Sequence, residues 1–157
     1  MRRFTCVCLM AVLAGCGGSA DQANPPADSA AAAAPAAPAG ISLADVAGTW
    51  NVQVMPQDKD TVLLTYQLTA TGDQNGWSMK FADRPDPIPL HVVSVAGDSI
   101  VVHADPYPSA LRKGQTVETT SVSRLVNGNL EGTATAHYKP AGADSVVTLR
   151  TRGTRAQ

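Results

Sequence analysis

Cysteine is confined to the first sixteen residues, at Cys6, Cys8 and Cys16, so nothing from residue 17 to residue 157 can form a disulfide, a thiol nucleophile or a thiolate metal site. Aromatic residues make up only 4% of the chain, which disfavours sugar or nucleotide sites built by stacking. Neither sign of charge dominates: 12 Lys and Arg stand against 13 Asp and Glu, for a net charge of −1. A nucleic-acid partner is therefore not expected, since binding phosphates requires a basic face. No apolar run reaches the roughly 18 residues that would carry a helix across a bilayer. Also missing are a G-x-S-x-G nucleophile turn, an H-E-x-x-H zinc motif and a glycine-rich phosphate loop. The sequence thus predicts no enzyme, no cofactor and no metal centre.

What is present begins with an export signal. Met1-Arg2-Arg3 gives a positive start, Phe4 to Ala14 an apolar segment too short to span a membrane, and Leu13-Ala14-Gly15-Cys16 a small-residue cleavage site. The last four residues resemble the lipobox of bacterial lipoproteins. That resemblance implies a signal peptide over residues 1–15, acylation of Cys16 as the new N-terminus, and attachment to a membrane through the acyl chains. Several chains, at about 0.8 kcal/mol per buried methylene, anchor stably where one chain holds only marginally. Gly17 follows the cysteine, and the absence of Asp there implies the bacterial outer membrane, with the protein facing either the periplasm or the cell surface.

Residues 16–40 read as a lipidated cysteine followed by a tether. Fifteen of the twenty-four residues from Gly17 to Gly40 are Ala or Pro, and none of the others can build a core. Such a segment reaches roughly 27 Å as a coil and about 75 Å when extended, enough to hold a domain clear of a lipid surface.

Residues 41–157 form the expected domain, and apolar residues there recur with a period of two. Trp50, Val52 and Val54 alternate with Asn51 and Gln53, and Val62, Leu64, Tyr66 and Leu68 alternate with polar residues, as do Trp77, Met79 and Phe81. Further runs cover Ile88 to Val95, Ser99 to Ala104, Gln115 to Val126, Leu130 to Tyr138 and Ser145 to Thr154. Short turn signals, among them Gly97-Asp98 and Asn127-Gly128, link neighbours as hairpins. Eight antiparallel strands in a meander are best satisfied by closing into a barrel, which removes both unpaired edges. The alternative is a two-sheet sandwich. Longer loops from Ala82 to Pro89 and Asp105 to Gly114 are candidates to cover a barrel end.

Gly48-Thr49-Trp50, opening the first strand after a lead-in at Leu43 to Val46, is similar to the G-x-W motif of lipocalins and related calycins. This resemblance implies an eight-stranded barrel closed at one end by Trp50, packed against an arginine from the last strand. The inward positions of that strand run Val147, Leu149, Thr151, Gly153 and Arg155, which makes Gly48, Trp50 and Arg155 the expected closure set.

The remaining candidates are few. With Gly97-Asp98 as a two-residue turn, His103 opposes Val92 and His91 opposes Ala104, on opposite faces of the sheet. A shift of one residue would set the two histidines face to face, within chelating reach. His137 stands alone. In the interior, Tyr66, Trp77, Met79 and Phe81 form an apolar wall facing Gly132, Ala134, Ala136 and the small hydroxyl residues from Thr119 to Ser123. That contrast predicts either a cavity for a small apolar or amphipathic ligand, or a barrel filled by interlocking large and small side chains. Tyr107, Arg112 and Lys113 are candidates to meet a ligand at the mouth. Two functions follow: a lipid-anchored binding module, or a solid barrel that docks an envelope protein partner. A contiguous apolar patch of Leu63, Val122 and Val146 would favour the second.

Overall fold

A computed structural model describes residues 40–142 and 144–157. The signal segment, Cys16 and the tether up to residue 39 lie outside the described residues. The described chain is an antiparallel meander closed into an eight-stranded barrel, the strands following one another in sequence order and the last pairing with the first. The sandwich alternative is excluded.

The strands are β1 (Gly48–Pro56), β2 (Leu64–Ala70), β3 (Trp77–Lys80), β4 (Ile88–Ala96), β5 (Ser99–Pro108), β6 (Thr116–Val126), β7 (Asn129–Lys139) and β8 (Val146–Arg155). Alternation fixes their two faces. Trp50, Val52, Leu68, Met79, Leu90, Ile100 and Leu130 turn inward into one core, while Asn51, Gln53, Thr65, Gln67, Thr133 and Arg152 turn outward and are exposed. A barrel that crosses a bilayer needs an apolar band on its outside. Here the core is largely apolar, and the outward positions are mostly polar with scattered exposed valines such as Val93, Val122 and Val146.

One element differs from the expected all-strand reading. The lead-in at Leu43–Val46 is a single helical turn, α1, started by Ser42, whose hydroxyl accepts from the Asp45 amide while the Asp45 carboxylate accepts from the Ser42 amide. Strand β2 also begins two residues later than the alternation suggests. Pairing with β1 starts at Leu64 opposite Val54, leaving Val62 and Leu63 exposed.

Two irregularities shift the side-chain phase. In β4 the pairing with β5 slips between Val92 and Ser94, so Val93 bulges outward. In β5 it slips between Ala104 and Tyr107, so Asp105 and Pro106 together face Glu118. Each bulge inserts one residue and reverses the inward–outward order beyond it. The second turns Tyr107 into the barrel, where uninterrupted alternation from Ala104 would point it out.

Candidate functional site

The two ends of the barrel are built differently. At the end where β1 begins, two of the connections are two-residue turns, at residues 97–98 and 127–128, the third spans residues 71–76, and α1 packs beside Trp50. Trp50 is fully buried here and its indole N–H donates to the Val46 carbonyl at 2.8 Å. The Arg155 guanidinium lies 4.3 Å from the Trp50 ring and donates to the Ala47 and Asp45 carbonyls, both at 2.8 Å. It thus satisfies the backbone of α1 and stacks on the indole together. Gly48 makes room for this arrangement. Its φ is +130°, and a Cβ there would stand 3.0 Å from Arg155 Nη1. Gly48, Trp50 and Arg155 therefore form one unit with α1.

At the opposite end lie the four connections at residues 57–63, 81–87, 109–115 and 140–145, each of six or seven residues. The loops from β3 to β4 and from β5 to β6 share this end, which the sequence left open. Arginines tie them down. Arg84 stacks on Phe81 and Tyr107, at 5.3 and 5.9 Å, and donates to the Pro108 carbonyl. Arg112 stacks on Tyr138 at 4.1 Å and donates to the Asp144 carbonyl at 2.8 Å. Arg150 donates to the Pro56 and Lys59 carbonyls and the Asp60 carboxylate.

Beneath these loops lies a cavity of about 70 Å³, room for more than one water, which needs about 10–15 Å³. Tyr66, Met79 and Phe81 line one wall; Ala134 and Ala136 of β7 and the hydroxyls of Thr119, Ser121 and Ser123 on β6 line the other. Ser109, Ala110 and Leu111 of the β5–β6 loop border it as well. Trp77 departs from the expected wall: it is buried but does not line the cavity, and its indole N–H donates to the Asp73 carbonyl in the β2–β3 turn at 2.9 Å. Tyr107, brought inside by the β5 bulge, joins the lining, and Arg112 acts on the loop rather than the cavity.

Desolvation raises the Tyr66 pKa far above its ordinary value, and the neighbouring Tyr107 phenol adds to the effect. Tyr107 is also raised by desolvation, partly offset by a hydrogen bond with Thr119.

Gly132 has a different role from the small wall residue expected. A Cβ on it would lie 2.0 Å from the Val122 carbonyl oxygen, so β6 and β7 approach too closely there for any side chain. Its glycine sets the path of the strands rather than the width of the cavity.

The histidines require a correction. Because Val93 bulges, His91 pairs with His103 and Val92 with Val102, in place of the expected His103–Val92 and His91–Ala104 pairs. Both imidazoles face outward. The sequence does carry the signal, in the phase change from inward Ile88, Leu90 and Val92 to inward Val95.

Leu63, Val122 and Val146 do not form one patch. Val122 pairs with Thr133 and Val101, Val146 pairs with His137 four positions further along β7, and Leu63 lies beyond β1. Comparison with known proteins gives no match to any family, curated sequence or solved structure.

Proposed function

We propose that this chain is a non-catalytic binding module, lipid-anchored in the bacterial cell envelope through Cys16, that takes a small apolar or amphipathic molecule into the mouth half of a lipocalin-like barrel. The observation that carries the reading is the cavity between the Tyr66–Met79–Phe81 wall and the alanine and hydroxyl wall of β6 and β7. Its lining is largely apolar with a few hydroxyls on one side, the composition of a site that holds a ligand by shape and orients it by one or two hydrogen bonds. Its size selects a short chain or a single ring, or the tip of a longer molecule that leaves through the mouth.

The anchor and the tether support the same reading from the sequence side. An acylated Cys16 on such a tether would hold the barrel within reach of a membrane surface, where amphipathic molecules are available.

Native mass spectrometry of the full chain recovered from a bacterial envelope, before and after denaturation, tests the proposal. A mass excess that disappears on denaturation, and that is absent from Ala134→Leu with its filled cavity, is the expected result. The N-terminal mass of the same sample reports acylation of Cys16. An uncharged barrel in both proteins, with apolar probes added in excess, would overturn the binding reading.

A further inference from the structure

The cavity does not involve the outer surface of β4 and β5, where His91, His103 and Asp105 come together. His91 and His103 are directly opposed across the ladder, which places their Cβ atoms about 5 Å apart. The Asp105 carboxylate stands between them, Oδ2 at 3.1 Å from His91 Nε2 and Oδ1 at 3.7 Å from His103 Nε2. The His103 ring is held from behind, its Nδ1 lying 3.2 Å from the Thr120 hydroxyl. That contact leaves Nε2 as the nitrogen presented to the group. Both bulges contribute to the setting: the one at Val93 aligns the two histidines, and the one at Asp105 and Pro106 opposes Glu118 to this carboxylate.

The geometry points to a divalent transition-metal site of the zinc class, with His91 Nε2, His103 Nε2 and the Asp105 carboxylate as protein ligands and the remaining positions open to water. Two imidazoles and one carboxylate suit Zn²⁺, Ni²⁺ or Cu²⁺; Ca²⁺ and Mg²⁺ require a shell of oxygens. Among the described residues, no three such side chains already surround one point. The carboxylate now stands in the space a metal would take, hydrogen-bonded to His91 Nε2 and 3.7 Å from His103 Nε2. His91 and Asp105 are more than half exposed, at 59% and 65% of their side-chain surface, so turning them costs little packing. The Thr120 contact to Nδ1 matches the outer hydrogen bond that commonly orients a metal-binding histidine.

Among the described residues, no core packing depends on this trio. The three side chains project from the barrel and fill no core position, and an exposed His–Asp contact contributes little stability. The site is on the outside of the barrel, so it is independent of the ligand cavity.

Calorimetric titration of the metal-free full chain with Zn²⁺, its thiols alkylated beforehand, tests the proposal. One Zn²⁺ per chain is expected. His91→Gln, His103→Gln and Asp105→Asn should each weaken binding by more than about tenfold, and Thr120→Val by about tenfold, the scale on which outer hydrogen bonds to metal ligands act. His137→Gln should leave affinity unchanged. Zn²⁺ should also protect His91 and His103, but not His137, from acylation by diethyl pyrocarbonate in the unaltered protein, a readout that requires no variant. Binding that survives the His91 and His103 substitutions, equal protection of all three histidines, or no binding beyond that of a single imidazole would each overturn the site.

Discussion

The barrel keeps its two tryptophans at one end and its three tyrosines at the other. Trp50 and Trp77 are buried near the short turns, each with its indole N–H on a backbone carbonyl, whereas Tyr66, Tyr107 and Tyr138 line the cavity beneath the long loops. The closed end uses its aromatic residues to finish the fold: both indole N–H groups are bonded to backbone carbonyls, and Arg155 ties α1 to Trp50. The mouth uses arginines stacked on aromatic rings to position loops, and leaves space below them. A small barrel can therefore concentrate stability at one end and retain a void at the other, provided the sealing interactions are not spread evenly around it.

The difference can be broken from the closed end first. Trp50→Ala removes a fully buried indole together with the support for α1 and Arg155, and should cost about 3–5 kcal/mol, measured by urea unfolding. Gly132→Ala comes next: the added Cβ would meet the Val122 carbonyl oxygen, and overpacking against rigid backbone should cost about 3 kcal/mol, read as a lowered melting temperature. High pH should destabilise the barrel through the phenols at the mouth. The raised Tyr66 and Tyr107 pKa values mean that, above about pH 10, the unfolded chain loses phenolic protons that the folded chain keeps. The stability these phenols contribute is intact below that pH and is lost as pH rises, so a tyrosinate absorbance titration should show a late, cooperative step accompanying unfolding. The smallest effect is expected at the rim. Arg112→Gln should change stability by less than about 1 kcal/mol, since the guanidinium is partly solvated, while raising amide exchange in residues 140–145.

Most of the architecture was readable from alternation. Trp50–Val54 and Trp77–Phe81 announce their inward faces, and Asn127-Gly128 its turn, because a half-buried strand leaves a direct imprint on the sequence. The pairing of Trp50 with Arg155 follows from counting parity along β8. Less legible were features that depend on a change of phase. The consecutive valines at 92 and 93 permit either register, and only pairing with β5 decides that Val93 is the extra residue, which brings His91 opposite His103. Tyr107 is equivalent: alternation from Ala104 aims it outward, and the bulge places it in the cavity. The turn at Leu43–Val46 carried a local signature in Ser42 and Asp45, three residues apart, but one helical turn leaves no periodicity. Gly132 was visible as a small residue, though its close approach to Val122 is a property of two strands together.

The pairing of β8 with β1 also bears on how the barrel comes to exist. β1 can zip to β2 as soon as both are made, but its other edge remains open until the far end of the domain arrives, because its partner is the last strand of the meander. Ring closure is thus the contact of greatest sequence separation and, by loop entropy, the slowest to form. Until then a nascent chain displays an unpaired strand with Trp50, Val52 and Val54 on it, a surface prone to pairing with other chains. Cells that make this protein must carry it through that interval, and its yield should depend more on the holding capacity of their chaperones than on the stability of the finished barrel.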